Sequence, residues 1–446
     1  MKKKIGKFTI DTSITFVTRI LQLGCGIGTS VIIARILGPE GRGIYSLAIL
    51  LPVFLISFGN AGIAQASVFY VGKKIYLPKE VLGNNIILSF LLGIFSFFIG
   101  LIIILFFSDY LFPEIAKTYL FLALFLIPLK FFFSFVNYIL LGMQRIKEYN
   151  FINIFQSFIF LVLLLIFVLT FKFGIEEVII ANILSCFVAI IVLFYLAKRI
   201  IGVFHLRFNS SYIKDVFRYG FKIYLGTIIQ VLHYKIDLFL VNIFMNPIAV
   251  GFYSLAVALV EKIWLISQSA GVILFPKVSS ETNKKNLKEF TPLVCRNVLL
   301  FTLTAAILLF FVGRLLIVFI YSEKFLNSVL PFQILLIGAV TMSGWRILAN
   351  DLYGRGRPEL NIYISFWSVV LNIILNILWI PKFGIIGAAW ATSVSYTFAF
   401  ILILFTYSKI SKNSIRNIIF IKASDFQIYS NVLFLIRKKM GWIEPK

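Results

Sequence analysis

The sequence predicts an all-α integral membrane protein, with about twelve transmembrane helices set as two six-helix lobes of a parallel repeat around a central cavity. Three observations carry that prediction. The chain of 446 residues is 60% hydrophobic and only 13% charged, whereas soluble domains are about half apolar and a quarter charged. Apolar runs of about 20 residues, the length that crosses about 30 Å of hydrocarbon, recur along the whole chain. The stretch "GPEGRGIYSLA" (Gly38–Ala48) is also restated half a chain later as "NPIAVGFYSLA" (Asn246–Ala256).

The spans are expected at 12–36, 43–71, 82–107, 115–142, 150–171, 177–198, 217–243, 251–275, 293–321, 327–353, 361–381 and 384–408. Helices are the form that suits them, because an open strand leaves backbone groups unpaired in lipid. Met1-Lys2-Lys3-Lys4 is basic, but the segment behind it is too polar for a signal core and has no small-residue cleavage site. It reads as the inner flank of a first retained helix. Lys and Arg gather in that flank, in alternate loops and in the tail. The opposite loops hold Arg35, Arg42, Lys117, Lys172, Lys324 and Lys382. This bias predicts a multi-pass protein of the cytoplasmic (inner) membrane with both termini cytoplasmic, and it explains most of the +24 net charge without a nucleic-acid partner.

Residues 199–216, "RIIGVFHLRFNSSYIKDV", form the most polar connection. They divide the chain into an N-terminal lobe (1–198), an inter-lobe linker (199–216), a C-terminal lobe (217–408) and a basic cytoplasmic tail (409–446). The tail's "DFQIYSNVLFLI" suits an interfacial amphipathic helix. Cys25, Cys186 and Cys295 stand alone in apolar segments, so neither a disulfide framework nor a metal site is expected.

The repeat extends beyond its first match. Leu141-Gly142 with Arg145 recurs as Tyr353-Gly354 with Arg357. Phe173-Gly174-Ile175 recurs as Phe383-Gly384-Ile385, in chain order and at nearly the same offset. Six helices per lobe is an even number, so both lobes enter the membrane from one side and the repeat is parallel. Two like bundles that rock about a shared cavity suggest a transporter. Pro39 is expected to end the first helix and Gly43 to supply the turn into the second.

Span one carries Thr12, Thr15, Arg19, Gln22, Gly26 and Thr29 on one helical face. Span seven carries Thr227, Gln230, His233 or Tyr234, and Asp237, with Lys235 close by. Both stripes are expected to face the cavity, since polar groups facing lipid are costly. Lys222, Arg314 and Arg346 are near enough to helix ends to snorkel. Lys130, Lys262, Lys235 and Arg19 are deeper, where a charge faces either a water-filled path or a partner. Arg19, Gln22, Lys130, Gln230, Lys235 and Lys262 are therefore the expected substrate-cavity residues. A net cationic cavity favours an anionic passenger. His233, Asp237 and Glu261 are candidates for coupling to H⁺ or Na⁺, with Asp237 and Glu261 as the alternative structural partners of the lysines.

The stretches "ARILGPEGRGIYSLA" (Ala34–Ala48) and "LNIILNILWIPKFGIIGAAWATSVSY" (Leu371–Tyr396) resemble the polysaccharide transporters of the multidrug/oligosaccharidyl-lipid/polysaccharide (MOP) superfamily, the Wzx-type O-antigen and capsule repeat-unit flippases. The resemblance covers residues 8 to 408. It implies a MATE-like, twelve-helix, two-lobe flippase with a cationic cavity, moving polyprenyl-pyrophosphate-linked oligosaccharide from inner to outer leaflet by alternating access. Arg19, Lys130, Lys235 and Lys262 suit the pyrophosphate by depth and face. Membrane lipids and the pathway's polymerase and chain-length proteins are the implied partners; no cofactor is implied. A lipid II-type flippase and an ion-coupled small-molecule exporter are the superfamily alternatives. The first typically has two more helices, and the second relies on buried carboxylates that are scarce here. A membrane glycosyltransferase or polymerase would need a carboxylate cluster or a large loop, and the chain also lacks GxxxxGK[ST]. The expectation is a transporter rather than an enzyme.

Overall fold

The computed structural model describes residues 2–170, 173–280 and 284–425. Among them there is no strand. The helices are α1 (Lys2–Gly59), α2 (Ile63–Gly72), α3 (Pro78–Leu111), α4 (Lys117–Leu124), α5 (Leu126–Gly142), α6 (Ile146–Thr170), α7 (Ile175–Ile201), α8 (Ser210–Phe244), α9 (Pro247–Val260), α10 (Trp264–Ser280), α11 (Lys284–Tyr321), α12 (Val329–Gly354), α13 (Pro358–Ser411) and α14 (Ile415–Ile419).

Local chemistry sets their ends. α3 opens on Pro78, whose missing N–H would have had no intrahelical partner there. α8 opens where the Asn209 side chain accepts from the Tyr212 backbone N–H at 3.1 Å. At the start of α7, Glu177 accepts from the Gly174 N–H at 2.7 Å, and Lys198 and Arg199 occupy its last turn, matching both poles of the helix dipole.

Ten helical stretches among the described residues are long and apolar enough to cross a membrane, which makes this a multi-pass membrane protein. Two of the ten are too long for one crossing. α1 is broken at Gly38 (φ 68°, ψ −171°) and α13 at Gly384 (φ 60°, ψ −141°), backbone that only glycine adopts readily. The turn expected at Gly43 therefore lies at Gly38, and Pro39 begins the second helix instead of ending the first. Gly43 is helical. Span 43–71 is also interrupted, at Ala61 (φ 48°) and Gly62 (φ 73°), and continues as α2. The stretch expected as span 251–275 contains a 3₁₀ turn, Glu261–Ile263, between α9 and α10. Thr12 and the interfacial helix expected near the chain's end lie outside the residues whose side chains or backbone are described.

Contacts group the chain into two compact units: Met1–Ala256 with Arg314–Pro331 and Asn372–Ala391, and Val257–Gly313 with Phe332–Leu371 and Thr392–Lys446. In the first, α3 packs on α5, and α6 packs on both α1 and α7. Buried amides tie these helices: Asn85 donates to the Phe135 carbonyl at 2.9 Å and to Ser67 Oγ at 3.0 Å. Asn150 donates to Thr15 at 2.9 Å. In the second, Thr291 donates to Asp351 at 2.5 Å, and Arg355 bonds the same carboxylate.

The repeat is legible in backbone geometry. At the end of α5, the N–H groups of Met143, Gln144 and Arg145 bond the carbonyls of Ile139, Leu141 and Leu140. At the end of α12, those of Arg355, Gly356 and Arg357 bond Asp351, Tyr353 and Leu352, the same pattern in the same order. The left-handed residue is Gln144 (φ 58°) in one and Gly356 (φ 73°) in the other.

Candidate functional site

The restated corner is a contact between its own two copies, and it lies wholly in the first unit. A Cβ on Gly43 would overlap the Pro247 carbonyl oxygen and stand 2.9 Å from the Gly251 nitrogen. A Cβ on Gly251 would overlap the Pro39 carbonyl and stand 3.2 Å from Pro39 Cα. Each glycine thus admits the proline of the other copy. Ser46 and Ser254, equivalent in the repeat, touch through their hydroxyls at 3.4 Å. Such a reciprocal pairing is the isologous geometry of a two-fold axis, here within one chain.

One arginine breaks the symmetry. Arg42 is buried, with Val250 at the equivalent place. Its guanidinium donates to Ser30 O at 3.2 Å, Ser30 Oγ at 3.0 Å and Ser254 Oγ at 3.4 Å, and lies 6.0 Å from the Tyr321 ring centre. Arg35 donates to the Ile320 carbonyl at 2.7 Å and to the Phe319 carbonyl, groups left unpaired at the end of α11. The sequence reading placed both arginines in a loop; both belong to α1. The signal that could have found Arg42 is its position inside the repeated motif.

At the other end of these helices the first unit has a second close approach. A Cβ on Gly62 would overlap Gly220 O and stand 2.7 Å from Gly220 Cα. Tyr224 donates to the Phe58 carbonyl.

The expected cavity residues are distributed as follows. Arg19, Gln22, Lys130 and Lys235 are half-buried; Gln230 is exposed and faces Tyr234 at 3.5 Å. Arg19 is within electrostatic reach of Tyr149, and Lys130 lies 5.8 Å from the Phe133 ring centre. Lys262 is exposed and Glu261 half-buried, both on the 3₁₀ turn of the second unit. His233 and Asp237 are 3% and 2% exposed, so they belong to the packed face of α8. Asp237 accepts from Tyr253 Oη at 2.7 Å and from the Leu238 N–H at 2.8 Å. Tyr253 is the tyrosine of the repeated Tyr-Ser-Leu-Ala, a link that sequence spacing did not reveal. Thr29 stands in the first copy where Asp237 stands in the second, so the carboxylate is confined to one repeat. Of the residues expected to snorkel, Arg314 is exposed, whereas Arg346 lies 4.5 Å from the ring centre of buried Trp264. Among the described residues no three of His, Cys, Asp and Glu come together as metal ligands.

These features define a polytopic helical membrane protein with an internal repeat, and comparison with known proteins supplies its family. The chain belongs to the family described as "Polysaccharide biosynthesis protein", which matches residues 32–330. "Uncharacterized membrane protein MJ1068" of Methanocaldococcus jannaschii is 30% identical over 47% of this chain, a stretch spanning only 42% of that relative's length. "Putative O-antigen transporter" of Shigella flexneri is 26% identical over 84% of this chain and 92% of its own. Among solved structures, "Lipid II flippase MurJ, inward closed conformation" superposes with a TM-score of 0.74 at 18% identity, covering 98% of this chain and 94% of that one. That likeness shows a shared fold.

Proposed function

We propose that this protein is a flippase that carries polyprenyl-pyrophosphate-linked oligosaccharide, the repeat unit of a surface polysaccharide, from the inner to the outer leaflet by alternating access. The observation that carries the reading is the reciprocal corner. Two copies of one helical hairpin that close on each other through glycines are a contact that two like bundles can make and break as rigid bodies. Family membership and the likeness to an O-antigen transporter over most of both chains support the passenger class.

In this reading the lobes are residues 1–198 and 217–408, and α1 and α13 each supply two of twelve crossings. Both termini are cytoplasmic, in the cytoplasmic membrane. Arg19, Lys130 and Lys235 are the first unit's cations for the pyrophosphate, with Gln22 and Gln230 as further substrate-cavity residues; Lys262 is the second unit's cationic candidate, and His233, Asp237 and Glu261 are the groups through which an ion would couple. The polymerase and chain-length proteins of the pathway receive the product. The protein supplies no catalytic group; the chemistry is left to those partners.

Cells lacking the protein should accumulate the lipid-linked oligosaccharide in a pool that a membrane-impermeant lectin cannot label from outside. An unchanged outer pool, with every other such transporter removed, would contradict the proposal.

A further inference from the structure

The linker between α7 and α8 has chemistry that the transport reading does not use. It leaves α7 at Gly202, whose φ of 88° ends the helix, and runs across the first turns of α3. A Cβ on Gly83 would overlap the His205 carbonyl, so α3 and linker backbone touch there. Asn84, buried, donates to Glu80 O at 2.8 Å and accepts from the Asn209 N–H at 2.8 Å, which pins the far end. The segment is therefore fixed, yet it exposes large apolar side chains: Val203 by 76%, Leu206 by 62% and Phe208 by 63%. Phe204 turns inward onto Phe194, with ring centres 5.9 Å apart. Exposed His205 and Arg207 alternate with these residues, and Lys79 stands at the start of α3.

Lys79, His205, Arg207 and Ser210 line a cavity of about 670 Å³, with Glu80 as its one carboxylate. That volume suits a small ligand or a lipid headgroup. Its place follows from the helices it joins. α7 ends, and α3 begins, as an apolar stretch long enough to cross a membrane, so the linker lies where hydrocarbon gives way to headgroups. Apolar side chains pinned outward at that level are buried by acyl chains, and the interleaved His205 and Arg207 then stand at the depth of lipid phosphate.

We propose that Lys79, His205 and Arg207 bind the phosphate of an anionic phospholipid, with Val203, Leu206 and Phe208 seated among its acyl chains. The linker then lies in the membrane surface and holds α3 against the start of α8 through a bound lipid. This site rests only on the protein's place in a membrane and not on what it transports.

Native mass spectrometry of the purified full chain tests it. Retention would be compared for phosphatidylglycerol, phosphatidylcholine and undecaprenyl phosphate. Lys79→Ala with Arg207→Ala should lower phosphatidylglycerol occupancy by about tenfold or more and leave the other two unchanged. Lys79→Arg with Arg207→Lys should retain it. Unchanged phosphatidylglycerol binding would overturn the site. Selective loss of undecaprenyl phosphate would reassign the cavity to a polyprenyl carrier, and equal loss of all three lipids would remove the anionic preference; either result overturns the proposal.

Discussion

Gly43 and Gly251 occupy equivalent places in two copies of one motif, and each is the only residue that leaves room for the other copy's proline: Pro247 against Gly43, and Pro39 against Gly251. The two copies of the motif thus meet in a close backbone contact. Gly43→Ala and Gly251→Ala should each force backbone apart and lose transport and thermal stability to a similar degree. Gly26→Ala, with nothing within 4 Å of the added methyl, should be nearly neutral. Melting temperature and transport measured on the three variants check this; a tolerated alanine at either corner would show that the close approach is dispensable.

Arg42 should matter more than a residue of a surface loop. Its bond to Ser254 is buried and those to Ser30 are partly so, and hydrogen bonds to a charged group contribute about 1.5–3 kcal/mol each when no water replaces them. Arg42→Ala should destabilise the protein markedly. Arg42→Lys should recover only part of the loss, because one ammonium cannot reach both serines in the guanidinium's fork. Chemical denaturation in detergent reads the difference, and equal stability of Arg42→Lys and the parent would remove the fork from the account.

The carboxylate of Asp237 and the hydroxyl of Tyr253 form a buried pair at 2.7 Å. If the pair couples an ion to transport, Asp237→Asn should abolish the dependence of transport rate on an imposed H⁺ or Na⁺ gradient while the protein stays folded. Tyr253→Phe should shift that dependence without abolishing it. Gradient dependence retained in Asp237→Asn would assign the pair to packing alone.

Arg296 holds Asp425 in a buried two-pronged ion pair, and the guanidinium keeps that carboxyl below the usual carboxylate range. A group whose folded pKa is depressed stabilises the protein above its unfolded pKa, and the contribution fades as pH falls through the folded value. Asp425→Asn should therefore be less stable than the parent at neutral pH, with the gap closing only in strong acid. Melting temperatures across pH 3–8 test the sign; a gap that widens on acidification would contradict it.

Much of this fold was legible in the sequence because lipid imposes long apolar runs and corners need Gly and Pro. Gly38–Pro39 and Gly384 mark the breaks in α1 and α13 for that reason. The rest depends on tertiary context. Gly43 reads as a turn residue, whereas its role is to admit another backbone, which no local signal reports. Arg42 reads as a loop cation, because burial of a charge is set by what packs over it from Ser254 and Tyr321. For the candidate site, helical spacing aligned polar residues along α1 and α8 but did not report that Asp237 turns to Tyr253 while Gln230 stays exposed.

Leaflet transfer in liposomes separates a flippase from a protein that moves no lipid-linked sugar. The purified protein would be reconstituted with a fluorescent polyprenyl-pyrophosphate oligosaccharide, and transfer scored for the parent and for Arg19→Ala with Lys235→Ala. Transfer by the parent, reduced at least about tenfold in a folded double variant by loss of two cationic contacts, is the predicted result. No transfer by the parent under any ion gradient would contradict the account.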